Sequence, residues 1–238
     1  MYVKEGHVIY QRSHSAFSYV TPSSLDLRSI FKISYDWLHL TGITPSLNKN
    51  CKDSWNFLLY YAISISLPVS IDLNHRPALC EFSCLWVIVK PCLFRLEVLV
   101  ISETDIRSIC ALEGIDTDGQ SLERLLLSIG EKCQIKRLVT CIKKEDNGIQ
   151  RRYSVMAYRG TAYTSCEKTQ IVNEHIGGGD AYVACLIDLL AGGETDIVEV
   201  LDRCDVYTMM AQRVRGNFSL VDKQHLEEEY EALLCCPR

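Results

Sequence analysis

No stretch of the 238-residue chain supplies the ~20 uninterrupted apolar residues that a membrane-spanning helix requires. The two apolar runs are both broken: Phe57 to Ile71 by Pro68 and several serines, and Leu85 to Ile101 by Lys90, Pro91, Arg95 and Glu97. Met1 to His7 contains no apolar core, so no secretory leader is expected. Excess positive charge is also missing. A formal net charge of −5 and a pI near 5.7 argue against a broad nucleic-acid surface, which needs clustered Lys and Arg. The basic pairs Lys143-Lys144 and Arg151-Arg152 read as solvated surface. Twelve cysteines are present, but none has CxxC spacing and no histidine pair completes a zinc signature. They are expected to be mostly buried free thiols of a reducing compartment. Gly-x-Ser-x-Gly is absent, although six histidines leave a Ser-His-Asp triad open. No Gly-Lys-Ser/Thr follows a glycine loop, which removes a Walker A phosphate site. The expectation is a soluble, cytoplasmic protein with neither nucleic acid nor membrane as partner.

A composition of 47% hydrophobic and 23% charged residues belongs to a globular chain able to bury a sizeable core. Val8 to Val20 predicts one or two strands, and Ser24 can cap a short helix from Leu25 to Phe31. Further on, strands are predicted at Asp36–Leu40, Val69–Leu73, Val98–Ile101 and Arg137–Ile142. Helices are predicted between them at Lys52–Ile65, Leu79–Lys90, Thr104–Leu112 and Ser121–Lys132. Arg152–Ala157 and Tyr163–Cys166 predict an antiparallel addition around Gly160. Helices follow at Ala181–Leu190, Asp196–Val214 and Lys223–Leu234. Such alternation predicts an α/β fold with a largely parallel sheet covered on both faces. Ligands in such folds sit beyond the carboxyl ends of the strands. Polar residues gather there: Thr41, Asn74 with Arg76, and Ser102 with Glu103 and Asp105.

The sharpest chemical signal is Gly177-Gly178-Gly179-Asp180, directly ahead of a helical run. Glycines permit a tight turn and close approach of an anion, and a helix N-terminus offers unpaired N–H groups. A carboxylate at the mouth of an anion site repels its ligand. It makes sense if Asp180 takes a proton from a hydroxyl that then attacks phosphorus. A helix cap is the bland alternative. Arg76 can fork onto a phosphate or carboxylate, or make a surface ion pair. Tyr10 and Arg12 lie two apart on a predicted strand and so share a face suited to a polyol or sugar acid. Glu103 and Asp105 could hold Mg²⁺ through water or cap the helix behind them.

From Tyr2 to about Glu231 these motifs occur in the order found in the ribokinase-like (PfkB) carbohydrate kinases, which the chain resembles. Within them it looks most like the 2-keto-3-deoxygluconate kinases. The segments that carry the resemblance are Val8-Ile9-Tyr10-Gln11-Arg12 with Ser15-Ala16-Phe17, Trp37 to Pro45, and Ser70 to Arg76. Gly177 to Ala181 and Gly216-Asn217-Phe218-Ser219-Leu220-Val221 complete the set. The resemblance implies a three-layer ribokinase-like sandwich with a small β lid. Residues 1–20 would be a remnant of that lid and 21–238 the α/β core. It implies transfer of the γ-phosphoryl group of ATP, with Mg²⁺, to a sugar-acid hydroxyl. Asp180 would be the base, and Gly177, Gly178 and Gly179 would face the transferred group. Tyr10, Arg12 and Arg76 would contact the acceptor, while Asn74, Ser102, Thr140 and Lys143 would lie on the nucleotide side. Lid strands of this kind allow a homodimer.

Departures from the family pattern are specific. The family's first strand and glycine-rich acceptor segment have no counterpart, which reads as an N-terminal truncation. Ser102 stands for Asn in the Asn-x-x-Glu magnesium motif, Glu174-His175 for Asp-Arg, and Gln212 for a common Lys. The loop from Lys143 to Gly148 is longer and more charged. Two other readings therefore stand beside the sugar-acid kinase. One is a non-catalytic remnant that binds nucleotide or a protein partner. The other is a fructokinase or nucleoside kinase of the same fold.

Overall fold

The computed structural model describes residues 2–4, 7–9, 12, 14–173, 175–214 and 221–234. The chain divides into two compact units, 1–97 and 98–238.

In the first unit, β1 (Tyr2–Lys4) and β2 (His7–Ile9) form an antiparallel hairpin with Val3 opposite Val8. The strand expected to continue toward Val20 is instead a 3₁₀ turn, Ala16–Tyr19. Its cause is local: the Ser18 hydroxyl donates to the Ser15 carbonyl at 2.7 Å, and the Ser18 N–H donates to the Ser15 hydroxyl at 3.3 Å. Serines of this kind offer the backbone partners that compete with a ladder. The short helix α1 (Leu27–Ile30) is capped by Asp26 rather than Ser24. The Asp26 carboxylate accepts from the Arg28 and Ser29 N–H groups, while Ser24 is used in a reciprocal box with Thr21.

Strands β3 (Leu38–Thr41) and β4 (Val69–Asp72) run parallel, with Leu38 opposite Val69 and Thr41 opposite Asp72. Between them come α2 (Ile43–Leu47) and α3 (Lys49–Ser64). Asn48 starts α3 by accepting the Cys51 N–H at 3.0 Å. Cys51, Trp55, Leu59 and Ala62 then form its buried stripe at helical spacing. Val69, Ser70, Ile71 and Leu73 are all buried, so β4 has no solvent-facing side. Ser70 satisfies its hydroxyl with Trp37 Nε1 at 2.9 Å and His39 Nδ1 at 2.8 Å. Leu85, Trp86 and Val89 of α4 (Phe82–Val89) complete this core.

The second unit begins with β5 (Val98–Ile101), paired in parallel with β6 (Arg137–Asp146) across α5 (Glu103–Glu113) and α6 (Leu122–Lys132). Ser121 caps α6 and Gly114 ends α5 in a left-handed conformation. β6 outruns the predicted strand by four residues and folds back on β7 (Ile149–Tyr158). The hinge is Asn147-Gly148, both at positive φ, the pairing favoured in two-residue hairpins. The charged loop read between Lys143 and Gly148 is therefore mostly ladder. β8 (Thr161–Thr164) and β9 (Lys168–Ile171) both pair antiparallel with β7, as expected around Gly160. Three helices follow: α7 (Gly178–Ala191), α8 (Ile197–Arg213) and α9 (Lys223–Leu234).

One surface assignment is corrected. Arg151 is exposed, but Arg152 is fully buried, because consecutive strand residues face opposite ways. Among the described residues the cysteines are free; Cys51, Cys92, Cys110, Cys185 and Cys204 are buried, whereas Cys84 and Cys166 are exposed. No helix among the described residues is long and apolar enough to cross a membrane.

Candidate functional site

The glycine turn takes the geometry its composition suggests. Gly177 has φ 80, a left-handed value, and acts as the N-cap of α7 without any side chain to cover the helix end. Its carbonyl accepts the Ala181 N–H at 2.8 Å, which starts the helix. Gly178 is buried and crowded: an added Cβ would lie 2.8 Å from Gln212 Nε2. Gly179 is the reverse, with nothing within 4 Å of where a Cβ would stand. Asp180 is exposed in the first turn. The arrangement is a bare helix N-terminus with open space beside Gly179 and a solvent-facing carboxylate next to it. It fits a phosphate group approaching the backbone.

The same unit holds three further nucleotide-side candidates, Ser102, Thr140 and Lys143. Ser102 caps α5, and Ile101 just before it pairs with Thr140 of β6. Thr140 is fully buried, and its hydroxyl has no hydrogen-bond partner. Lys143 is exposed farther along β6, opposite Arg152 of β7. His175, entering the glycine turn, approaches Glu145 of β6 at 3.9 Å. The carboxyl half of β6 and the start of α7 are thus neighbours. For the magnesium pair, the structure uses Asp105 as a cap. Its Oδ2 accepts from the Ser102 N–H and hydroxyl, both at 2.8 Å, and the residue is buried. Glu103 remains exposed. The pair does not fit a protein-held metal centre, and no cluster of three His, Cys, Asp or Glu among the described residues could hold a metal ion.

Beneath α7 lies a polar network that sequence reasoning missed. The fully buried Arg152 donates through Nε to Asp205 Oδ1 at 2.9 Å and through Nη2 to Cys141 Sγ at 3.1 Å. Asp205 also accepts from the Ser154 hydroxyl at 2.9 Å and the Ser165 hydroxyl at 2.7 Å. Burial disfavours the Arg152 charge, but Cys141 and Asp205 outweigh it and hold its pKa above the ordinary value. Burial pushes the Cys141 thiol up, although Arg152 pulls against that. The Tyr182 phenol, with Arg152 5.9 Å from its ring, is likewise raised, chiefly by burial. A readable signal existed. Gln150, Arg152 and Ser154 occupy the same strand face as Met156, and all are buried. Asp202, Asp205, Thr208 and Gln212 recur at helical spacing on α8 and are buried too.

In the first unit, Arg12 lines a cavity of about 550 Å³ with His14, Tyr19, Asn48, Lys49 and Leu79. Leu79 donates its N–H to the Arg76 carbonyl at 2.8 Å, so the turn carrying Arg76 borders the same cavity. Arg76 itself is exposed. Asn74 holds a positive φ of 43 and donates its N–H to Asp72 Oδ1 at 3.1 Å, which turns the chain at the end of β4. Tyr10, Glu174 and most of the Gly216–Val221 motif lie outside the described residues.

Comparison with known proteins bears on the fold. No family model matches the chain. A 2-dehydro-3-deoxygalactonokinase of Haloferax volcanii is 25% identical over 233 residues, covering 95% of this chain and 68% of that protein. The structure of a 2-dehydro-3-deoxygluconokinase from Thermotoga maritima superposes with a TM-score of 0.84 at 22% identity, covering 94% of this chain and 68% of that one. A PfkB family carbohydrate kinase from Listeria grayi also gives 0.84, at 18% identity, covering 94% and 69%. The chain spans about two thirds of the length of each. It has the ribokinase-like α/β fold, as the resemblance implied, and its sequence is similar to that of a kinase of this kind.

Proposed function

We propose that the chain is an ATP-dependent kinase of a sugar acid, with 2-keto-3-deoxygluconate as the first acceptor to test. The observation that carries this reading is the left-handed Gly177 opening α7, with Asp180 exposed one turn-step away. Asp180 takes the proton of the acceptor hydroxyl, whose oxygen attacks the γ-phosphorus as the bond to ADP breaks. N–H groups at Gly178 and Gly179 receive charge developing on the transferred group. Mg²⁺ would arrive with the ATP phosphates and neutralise their charge. Arg12 and Arg76, with Tyr10, grip the acceptor carboxylate, and the Arg12 cavity is large enough for a six-carbon acid. Asn74, Ser102, Thr140 and Lys143 serve the nucleotide side. The homodimer through the β1–β2 lid belongs to the same proposal, since among the described residues β1 and β2 pair only with each other. Sedimentation velocity tests it.

The decisive assay is ATP consumption with 2-keto-3-deoxygluconate, 2-keto-3-deoxygalactonate and fructose in parallel. Asp180→Asn is expected to lower kcat by about 10²–10⁴, the usual worth of a general base, while leaving the melting temperature unchanged. Activity that survives this substitution intact would remove the mechanism. A second reading, a nucleotide-binding or protein-contact module, is favoured by the exposed Phe17, Tyr19, Ile33 and Tyr35. Calorimetry with ATP·Mg²⁺ and with the sugar acid separately distinguishes them: nucleotide heat without sugar heat supports the second.

A further inference from the structure

We propose that the last turn of α8 clamps the glycine turn into its anion-receiving shape, with Gln212 as the positioning residue and Gln170 as the group that locks it. The inference rests on the phosphate-binding reading of that turn. Four contacts converge on two residues. Gln212 presses its carboxamide against Gly178, where a Cβ would stand 2.8 Å from Nε2 and 3.1 Å from Cδ. Gln170 of β9 donates to Gln212 Oε1 at 2.9 Å. Asn173, just ahead of the turn, donates its N–H to the Gln212 carbonyl at 3.2 Å and its side-chain amide to the Arg213 carbonyl at 3.0 Å.

The physical logic is reciprocal. The last carbonyls of α8 have no intrahelical donors, so they need partners from elsewhere. Asn173 supplies two, and in doing so pins the chain entering the turn. Gly178, leaving the turn, is pinned by contact with the side chain of the same Gln212. Both ends of the segment are therefore tied to one short patch of α8. A glutamine side chain is flexible, and burying it is favourable only if its amide is held. Gln212 is 3% exposed and Gln170 7%, and each holds the other. The Gln212 amide, rather than the turn itself, fills the space a Cβ at 178 would take, so a side chain there must push that amide away from Gln170. At 177 the requirement is conformational, and at 179 it is open space for the ligand.

The test is a cycle of Gly178→Ala, Gln212→Ala and the double variant, with Gln170→Ala alongside. Folding is checked by thermal melting, and Gln212→Asn, which keeps a shorter amide, substitutes if Gln212→Ala does not fold. Displacement of the turn by Gly178→Ala is expected to cost about 10²-fold in kcat/KM for ATP, as small misplacements do. In the double variant the clash is gone, so activity should return to within about threefold of Gln212→Ala alone. Independently of activity, Gln212→Ala and Gln170→Ala should each speed amide hydrogen exchange across 176–181 by about tenfold, with the rest of the chain unchanged. A double variant no better than Gly178→Ala, or unaltered exchange at 176–181, overturns the clamp. Because exchange needs no turnover, loss of the kinase reading and loss of the clamp register separately.

Discussion

Asp180 and Arg152 belong to the same unit but answer to opposite physics. Asp180 is exposed in the first turn of a bare helix start, where a carboxylate faces solvent. Arg152 is buried entirely, and its charge is tolerable only because Asp205 and Cys141 surround the guanidinium. The second case gives a sharp expectation. Arg152→Met leaves the Asp205 carboxylate buried without a cation, which should cost about 3–5 kcal/mol of stability. Replacing both partners by Arg152→Met and Asp205→Leu should recover at least half of that loss, since an apolar pair removes the uncompensated charge. Urea unfolding of the three proteins measures it; a double variant less stable than Arg152→Met alone would show that the pair is not the controlling interaction.

At the scale of elements, α8 ties several neighbours to itself through polar side chains. Its Asp202 accepts the Cys166 N–H at 3.0 Å and pairs with Lys168, Asp205 holds β7, and Gln212 holds the glycine turn. On its far side, Arg203 pairs with Glu199 and Glu227 and lies 4.8 Å from the Tyr230 ring of α9. Burial first, then the negative charges of Asp202 and Glu199, push the Tyr230 phenol up from 10.0 to about 12. The sign follows from linkage. The folded pKa lies above the unfolded one, so the stability contributed is complete below pH 10 and is lost as pH rises toward 12. Thermal melts across that range should fall more steeply for the natural protein than for Tyr230→Phe. Parallel curves would mean that α9 is not docked through this ring.

For the whole molecule, the relevant quantity is how ligand binding shifts stability. If the kinase reading holds, ATP·Mg²⁺ binds only the folded chain, and at 100 times its Kd adds about 2.7 kcal/mol. In a chain of this size that corresponds to a rise in Tm of roughly 5–10 °C. A scanning melt with ATP·Mg²⁺, and with AMP as control, checks it. No shift at saturating nucleotide would leave the exposed apolar side chains of the first unit as the better guide to what the protein does.

The alternation of β-branched runs with amphipathic stretches was sufficient to predict the strands at 69–72, 98–101 and 137–142 and the long helices, because local periodicity reports which face is covered. The turn at Gly177 to Gly179 was equally legible as the start of a helix, because glycines ahead of an apolar run permit the left-handed backbone found at Gly177. Local hydrogen bonding decided the misses near the start, where Ser15 and Ser18 made a 3₁₀ turn and Asp26 displaced Ser24 as a cap. What only the tertiary structure decided was the fate of polar residues whose partners lie far along the chain. Arg152 reads as surface until Asp205, 53 residues on, arrives beside it. Likewise, Gly178 looks like one more turn glycine until Gln212 is seen to occupy the space its side chain would need. Sequence spacing carries the information for faces and caps, whereas a buried charge or a crowded Cβ depends on which distant element the fold brings into contact.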